Sequence, residues 1–343
     1  MLKRLTYFFA FFCCFIISAQ KSNIKFESLD LPEDVNSNGI NCFIQSQDGF
    51  LWMGSRDGLI RYDGYNSKKI FADNDQMKNF SFGDVNSVIE VNPGELWVST
   101  PRGVFIYKSI TGQFERFTKL SLERRNYRVL YKLKSGKIAI GSNKGLFFYD
   151  PQTNQVETFK HRDGFVHSLS NNVIRCVYED KEGVIWVGTY DELNRMDPKT
   201  RTFKKIRLKK DTKNEKLQNN LILSIDEVEL NGKSILLVGT ETGLALYDKE
   251  NETYKVFAQG SQEKMLSNSV IKTMEVVSNK EIWLGTDRGL NLFNLHDNSF
   301  QSYFADYNNS YTISNNIVRS VFKDSNGNIW LGSNNGVDKT FVG

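Results

Sequence analysis

The side chains that could perform acid–base, nucleophilic or metal chemistry are few in this chain. Its 343 residues include three histidines, His161, His167 and His296, and the first two fall in one connecting segment. No His and Cys residues show the spacing of a zinc site, and no Ser-His-Asp or Cys-His set is evident. The sequence therefore predicts no catalytic residue, no bound metal and no cofactor.

Two segments resemble ligand-binding loops but lack a required residue. Gly-Ser-Asn-Lys-Gly at 141–145 has the glycines of a phosphate loop without the Gly-Lys-Ser/Thr ending or a following helix. Asp-Ser-Asn-Gly-Asn at 324–328 resembles a calcium loop but has no distal Glu. Both segments are interpreted as turns between strands.

A phrase of Gly, apolar residue, Trp, apolar residue, Gly and Ser or Thr recurs along the whole chain. Ala139 and Leu237 replace Trp in two copies, and the spacing of successive anchors lies between 42 residues (Trp97 to Ala139) and 51 residues (Trp186 to Leu237). Such a period indicates a repeat architecture. All five tryptophans of the chain are anchors of this phrase: Trp52, Trp97, Trp186, Trp283 and Trp330.

Each copy of the phrase is predicted to form four short antiparallel strands, joined by turns rich in Asp, Gly and Asn. Seven such copies indicate an all-β, seven-bladed β-propeller. Because one blade cannot bury an indole of about 150 to 250 Å² by itself, neighbouring blades must cover it. A parallel β-helix, the rival architecture, has shorter coils without hairpin turns.

Two details of the repeat concern its turns. The paired glycines, such as Gly54 and Gly58, are expected to permit the positive φ of a tight turn between the second and third strands. In blade four, Glu192 stands at the turn glycine and Met196 at the usual Tyr or Phe. We interpret this as a locally altered turn.

The ring is predicted to close through its N-terminal strand. Copy seven contains three strands, Ile317 to Phe322, Asn328 to Ser333 and Gly336 to Phe341, before the sequence given ends. The segment "NIKFESLDL", Asn23 to Leu31, resembles the fourth strands of the other copies. It would complete blade seven and remove the open sheet edge there.

The N-terminal residues have the order of a secretory signal. Lys3 and Arg4 precede an apolar run from Leu5 to Ile17 and then small residues. We predict a signal peptide at 1–19, a propeller at 20–343, and a periplasmic or secreted location without a membrane span in the mature chain. An uncleaved anchor is the alternative, although the apolar run is short for a span.

Charge and cysteines narrow the function classes further. The net charge is +4, and without Lys3 and Arg4 it is about +2, too weak for a nucleic-acid binder. After signal cleavage Cys42 and Cys176 remain at equivalent positions of blades one and four. These two blades lie three positions apart around the ring, and a disulfide requires Cα atoms less than about 7 Å apart. We therefore predict two free, buried thiols.

The candidate ligand-binding residues lie at the start of each innermost strand, where side chains can reach the mouth of the channel. Leu223 takes this position in blade five. Arg and Asn suit carboxylates, sulfates and sugar hydroxyls, and Tyr190 is a candidate for stacking on a sugar. Nearby Asp57, Asp191, Glu241 and Asp287 partly offset the positive charge. The predicted rim residues are Asn41, Asn86, Arg128, Arg175, Lys272 and Arg319, with Arg56, Arg102, Lys144 and Arg288 from the turns between second and third strands.

The repeated motif, best seen at 49–63 and 281–294, resembles the two-component regulator propeller repeat. The resemblance covers essentially the whole mature chain. It implies the first sensor propeller in the periplasmic region of a hybrid histidine kinase, non-catalytic in itself. The chain would be either a fragment of a longer protein, with the kinase core in a missing downstream region, or a stand-alone relative. The resemblance also implies an oligosaccharide ligand and contact with an adjacent propeller or other receptor domain.

Two other functions are compatible with the sequence. Propellers also include secreted enzymes of the lyase and glycosidase types, which usually place His or clustered carboxylates at the channel. The third alternative is a protein-binding scaffold with no small ligand, in which the polar rim residues merely solvate the channel mouth.

Overall fold

The computed structural model describes residues 24–29, 31, 39–70, 83–120, 125–208, 220–260 and 265–341. The predicted signal peptide at 1–19 lies outside these ranges. The 28 strands of the described residues form seven four-stranded antiparallel sheets. The innermost strand of each sheet contacts the innermost strands of both neighbouring sheets. The fold is therefore a seven-bladed β-propeller, as predicted.

In blades one to six the strands run from the innermost to the outermost in chain order. Blade one contains β2 (Ile40–Gln45), β3 (Leu51–Ser55), β4 (Gly58–Tyr62) and β5 (Ser67–Ile70), and blade two contains β6 (Ser87–Asn92), β7 (Glu95–Thr100), β8 (Gly103–Lys108) and β9 (Gln113–Arg116). Blade three contains β10 (Tyr127–Lys132), β11 (Ile138–Ser142), β12 (Gly145–Asp150) and β13 (Gln155–Phe159), and blade four contains β14 (Ile174–Glu179), β15 (Ile185–Thr189), β16 (Leu193–Met196) and β17 (Phe203–Ile206). Blade five contains β18 (Ile222–Leu230), β19 (Lys233–Thr240), β20 (Leu244–Asp248) and β21 (Thr253–Phe257), and blade six contains β22 (Ile271–Val276), β23 (Glu281–Thr286), β24 (Leu290–Asn294) and β25 (Ser299–Tyr303). Blade seven contains β26 (Val318–Lys323), β27 (Ile329–Ser333), β28 (Gly336–Phe341) and, from the N-terminal end, β1 (Lys25–Ser28).

The N-terminal strand closes the ring, which confirms the predicted closure. Strand β1 pairs antiparallel with β28, with Phe26 opposite Thr340. The Leu29 N–H extends this pairing by donating to the Val337 carbonyl at 2.8 Å. Phe26 is 2% exposed, and its ring packs edge-on against Tyr303 of blade six with centroids 5.3 Å apart. The closing strand is thus bonded to one blade and packed against another.

Each Trp anchor is buried against its neighbours. The seven anchor positions are 0 to 4% exposed. In four of them the indole contacts the tyrosine near the end of the third strand of the next blade, so the contact joins two sheets. These pairs are Trp52–Tyr107, Trp97–Tyr149, Trp186–Tyr247 and Trp330–Tyr62, with ring centroids 5.6 to 5.9 Å apart.

Two of the remaining three anchors show compensating sizes at their contact with the next blade. Ala139 of blade three shares a core cluster with Met196 of blade four, which replaces the tyrosine. Leu237 of blade five likewise shares a cluster with Phe293 of blade six. Met196, which replaces the usual tyrosine in blade four, is therefore matched by Ala139, which replaces the usual tryptophan in blade three. The third case, Trp283, packs against the Tyr303 ring of its own blade, with centroids 5.5 Å apart.

The two glycines of the repeated phrase have different roles, and the expectation that both permit a positive φ is wrong for Gly54. Gly58 has φ 132°, as a tight turn requires. Gly54 does not have a positive φ; a Cβ there would lie 2.5 Å from Cys42 Sγ and 2.6 Å from Val85 Cγ1 of blade two. Gly54 is therefore required because the inner strands of two blades approach its backbone. The equivalent glycines Gly141, Gly188, Gly239, Gly285 and Gly332 are crowded in the same way.

The turn between the first and second strands is fixed by the indole that follows it. The Asp324 carboxylate accepts from Trp330 Nε1 at 2.8 Å and from the Asn328 backbone at 2.9 Å. Asp180 accepts from Trp186 Nε1 in the same way, at 2.8 Å. The segment at 324–328 is thus a strand connection, as predicted, and its aspartate bonds the indole six residues later.

Blade four has the predicted altered turn. Glu192 has φ 76°, a conformation that non-glycine residues seldom adopt. Its N–H donates to the Asn220 carbonyl at 2.8 Å, and its carboxylate accepts from Arg207 Nε at 2.8 Å. These bonds hold the strained residue in place, and Met196, at the end of the strand that follows the turn, is buried.

Cys42 and Cys176 are free, as predicted. Each residue is partly exposed as a whole, but its sulfur packs against the crowded glycine of the next strand. Burial raises the pKa of both thiols to about 12. Both sulfurs are therefore protonated at neutral pH, the state in which a thiol is a poor nucleophile.

We expect residues 20–343 to react with a thiol reagent at pH 8 far more slowly when folded than when unfolded. The folded protein keeps Cys42 and Cys176 protonated and covered, whereas guanidinium exposes both. The measurement is the time course of thiol release with and without denaturant. Two fast-reacting thiols in the folded protein would contradict the described packing.

Removing the Phe26 side chain should destabilise the ring closure. We expect Phe26→Ala to lower the free energy of unfolding by about 3 kcal/mol or more, since a buried aromatic leaves a cavity. Deletion of residues 23–31 should also cost several kcal/mol, on the order of a large core truncation. Glu27→Ala, an exposed change on the same strand, is the control and should alter stability by less than about 0.5 kcal/mol. Equal denaturation midpoints for Phe26→Ala and wild type would disprove this role.

Candidate functional site

The predicted rim residues project toward the channel because the inner strands bulge there. In six blades one residue near the start of the inner strand is skipped in the pairing with the second strand. A bulge leaves the residue outside the ladder and redirects its side chain. Blade two lacks this bulge, and Asn86 lies directly before β6. The skipped residues are Asn41, Arg128, Arg175, Leu223, Lys272 and Arg319.

These six residues and Asn86 line one cavity of about 540 Å³, which we call the mouth. The mouth lies where the inner strands begin and where the second strands turn into the third. Four further residues, from blades five and six and the segments before them, complete the lining. The full lining is Asn41, Asn86, Arg128, Arg175, Leu221, Leu223, Glu241, Val270, Lys272, Asp287 and Arg319.

The other predicted rim residues do not line the mouth. Arg56, Arg102, Lys144 and Arg288 lie in the turns after the second strands, and all four are exposed. Arg56 is close enough that its charge, after burial, helps to lower the pKa of Arg319. The turns thus contribute a wider basic border, whereas Asp287 and Glu241 reach the cavity itself.

On one side of the mouth the polar groups are already satisfied. Lys272 forms an ion pair with Asp287. Arg319 donates from Nη1 to Asn41 Oδ1 at 3.1 Å and from Nε to Asn334. Asn41 and Asn334 satisfy the donors of Arg319 without balancing its charge, and the carboxylates of Asp84 and Asp287 lie close enough to offset that charge in part.

The two asparagines of the mouth connect neighbouring blades. Asn41 Nδ2 donates to the Val85 carbonyl at 3.0 Å, and Asn86 Nδ2 donates to the Tyr127 carbonyl at 2.7 Å. These amide donors are occupied by backbone carbonyls, so they contribute to ring assembly. Their role in ligand binding stays a prediction.

The opposite side carries two arginines without a countercharge. Arg128 and Arg175 belong to the adjacent blades three and four, and neither side chain bonds to any residue that the structure describes. Arg128 Nε is buried with no acceptor. Burial lowers the pKa of the Arg175 guanidinium, and the charge of Arg128 lowers it further. The half-exposed aromatic ring of Tyr190 lies close enough to interact electrostatically with Arg175.

Two half-buried carboxyl groups at the inner strands were not predicted from the sequence. Asp226 and Glu275 occupy the same repeat position in neighbouring inner strands, three residues after Leu223 and Lys272. Burial raises the pKa of Asp226 to about 6. Burial and then the charge of Asp226 raise the pKa of Glu275 to about 7. Comparing this repeat position across blades would have revealed two acids among Ile, Tyr and Phe.

A second acidic group joins blades four and five away from the mouth. Carboxylate oxygens of Asp180, Glu182 and Glu227 converge within 4.8 Å of one another. Lys249 Nζ lies among them and donates to Asp180 Oδ2 at 3.1 Å as well as to the two glutamates. Burial opposes the charge of Lys249, but these hydrogen bonds outweigh it and raise its pKa. The ammonium group therefore supplies the cation that these carboxylates require.

None of the three histidines lines the mouth. His161 bonds through Nδ1 to the Leu169 carbonyl at 2.7 Å and through Nε2 to Asp163 at 3.0 Å. His167 and His296 are exposed. All three have the surface-loop or turn positions that their segments indicated.

Asp226 and Glu275 should make stability depend on pH in a specific direction. A carboxyl whose folded pKa exceeds its unfolded pKa stabilises the fold below about pH 4, and that contribution is lost as pH rises through 6 and 7. We therefore expect Asp226→Asn with Glu275→Gln to gain melting temperature relative to wild type between pH 4 and pH 8. Thermal melts at both values and at pH 6 measure this difference.

Asp248→Asn is the control, for which we expect the opposite dependence of stability on pH. Hydrogen bonds from Asn251 lower the pKa of Asp248 to about 2, so its contribution to stability is present above the unfolded pKa and lost in acid. This variant should lose melting temperature relative to wild type as pH rises from 2 to 5. A pH-independent difference for the double variant would show that Asp226 and Glu275 titrate normally.

Comparison with known proteins identifies the repeat. Residues 168–191 and 312–335 match the family model described as two component regulator propeller. The resemblance predicted from the repeated motif is thus confirmed. Histidine kinase P4 of Formosa agariphila is 26% identical over 277 residues, which are 78% of this chain and 20% of that protein. The chain therefore spans about a fifth of the length of this curated relative.

Solved structures share the propeller fold. The extracellular domain of a protein described as a hybrid two component system from B. thetaiotaomicron superposes with a TM-score of 0.78 at 24% identity, covering 92% of this chain and 39% of that one. Streptogramin B lyase superposes with a TM-score of 0.68 at 12% identity, covering 92% of this chain and 98% of the enzyme. Identities this low establish a common fold alone. Among the described residues, no helix has the length and hydrophobicity needed to cross a membrane.

Proposed function

We propose that this chain, which carries two-component regulator propeller repeats, is the non-catalytic sensing propeller of a two-component receptor. It would act in the periplasm or outside the cell after export by residues 1–19. Its ligand would be an oligosaccharide bound at the mouth. The name of the Formosa agariphila relative and the description of the B. thetaiotaomicron structure support the receptor assignment.

The observation that carries the proposal is the lining of the mouth. Seven equivalent positions, one per blade, bring their side chains into a single cavity of about 540 Å³. That volume falls in the range of small-molecule sites, about 300 to 1,000 Å³. Several of these side chains end in N–H donors, which suit the hydroxyl and acidic groups of sugars. Tyr190 offers an exposed ring beside them.

The same face offers a surface for a neighbouring receptor domain. The connections from one blade to the next end at this face. Among the described ones, Met265 is exposed between blades five and six, and two others each expose more than one large apolar side chain. Exposed apolar groups concentrated on one face indicate an interaction site. They are Phe165 and Val166 on the connection from blade three to four, and Phe304, Tyr307 and Tyr311 on the connection from blade six to seven.

Signalling would follow from differential affinity. A ligand changes the output of a receptor when it binds one arrangement of the domains more tightly than another. A ligand that contacts both the mouth and a domain docked beside it would have that property. The kinase that responds would lie in a longer protein, since this chain spans 20% of its curated relative.

Calorimetry with a panel of neutral and acidic oligosaccharides tests the proposed function on residues 20–343. We expect saturable binding of one saccharide class, and a loss of at least about tenfold in affinity for Leu223→Trp, whose indole would fill the cavity. Ile110→Trp adds the same ring to an exposed turn on the opposite face and is the control. Chromatography after prolonged incubation checks that the saccharide is not cleaved.

Two results would contradict the proposal. Unchanged affinity of Leu223→Trp would place the binding site elsewhere, and accumulation of cleavage products would make the protein an enzyme. A panel without any binder would favour a scaffold that contacts proteins alone.

A further inference from the structure

The geometry points to Arg128 and Arg175 as one oxyanion site, which holds a single carboxylate, sulfate or phosphate group of the ligand. Under the proposed function, this site would fix the acidic end of an oligosaccharide at blades three and four. The inference deepens that proposal and rests on it for its biological meaning. Binding of an anion at this pair can nevertheless be tested without any saccharide.

The first argument is that both charges are left uncompensated in a partly desolvated place. Arg128 Nε is buried and has no acceptor among the described residues. Buried polar groups without a partner are rare and need an explanation, such as an ion that the site normally holds. Burial is also the main cause of the lowered pKa of Arg175. An oxyanion would supply the acceptors and the charge that both guanidinium groups lack.

The second argument is the proximity of two like charges. Arg128 and Arg175 are the bulge residues of neighbouring inner strands, and the charge of Arg128 lowers the pKa of Arg175. Repulsion of this kind disfavours the empty site. An anion between the two guanidinium groups attracts both of them and so offsets their repulsion. Each planar guanidinium can also donate two parallel hydrogen bonds to it.

The third argument is the contrast with the other cations of the mouth. Lys272 is paired with Asp287, and Arg319 donates to Asn41 and Asn334 and feels the charges of Asp84 and Asp287. The adjoining wall of the cavity is apolar, formed by Leu221, Leu223 and Val270. An apolar wall lowers the local dielectric constant and strengthens charge interactions. An anion entering the mouth should therefore settle on blades three and four.

The same charge distribution defines the class of ligand. One oxyanion fits beside Arg128 and Arg175, whereas further anionic groups would meet Glu241 of blade five or Asp287 of blade six, which line the same cavity. Like charges brought together in this way disfavour the wrong ligand. The site therefore selects a saccharide with one acidic group at one end and neutral sugars beyond it, in preference to a uniformly charged polymer.

Titration with inorganic sulfate, inorganic phosphate and acetate tests the site. Thermal melts and calorimetry of residues 20–343 at constant ionic strength should show a saturable rise in melting temperature with at least one anion. Arg128→Gln with Arg175→Gln should remove that rise and, because two unpaired charges are gone, raise the melting temperature in anion-free buffer. Comparing the three anions distinguishes sulfate, phosphate and carboxylate recognition.

A control variant and a milder variant keep the result interpretable. Lys199→Gln with Lys280→Gln also removes two positive charges, from exposed turns on the opposite face, and should keep the anion response. Arg128→Lys with Arg175→Lys keeps the charge but loses the paired donors, and we expect about tenfold weaker binding. If the glutamine variant of the two arginines fails to fold, the lysine variant is used in its place.

The outcomes separate the inference from the proposed function. The oxyanion site is disproved if wild type shows no saturable response, or if the glutamine and wild-type proteins respond equally. Saccharide binding that is indifferent to the acidic group would support the proposed function while overturning this inference. If the glutamine variant loses the anion response but the protein binds no saccharide, the oxyanion site is supported and the proposed function is contradicted.

Discussion

The structure depends on one contact, the packing of each blade's anchor against the next blade, in six of the seven cases against its third strand. A four-stranded sheet that carries a buried indole on one face is unstable alone, because an indole exposes about 150 to 250 Å² of largely apolar surface. Trp52, for example, is covered by Tyr107 of the following sheet. Since every blade needs its successor, the arrangement is stable when the last blade meets the first, as Trp330 meets Tyr62.

The close approach of the sheets explains features that local conformation does not. Gly54 has an ordinary backbone conformation, yet a side chain there would collide with residues of two inner strands. Ala139 stands opposite Met196 because the contact between blades is matched as a pair. In the same way, Phe26 completes the seventh sheet while packing on the sixth. Such residues are selected by their neighbours in space.

The mouth gains its chemistry from the same architecture. Bulges in six inner strands redirect one side chain from each toward the channel, so a ring built for packing also gathers polar groups at one end. Their charges are distributed unevenly around the ring. Lys272 is neutralised by Asp287, whereas Arg128 and Arg175 are left facing the cavity. This asymmetry gives a nearly symmetric scaffold one preferred place for an anion.

The amino-acid sequence by itself determined the fold class, the blade number, the closing strand and the seven positions that line the mouth. A repeat displays these features directly, because equivalent residues recur at a regular spacing in every copy. Contacts between copies are not encoded in that spacing. The tertiary structure alone decided that Gly54 spaces two blades, that Asn41 and Asn86 bond neighbouring backbones, and which two arginines lack a countercharge. Pairing, burial and desolvation depend on residues some forty positions apart in the chain, or nearly three hundred for Arg319 and Asn41, that only folding brings together.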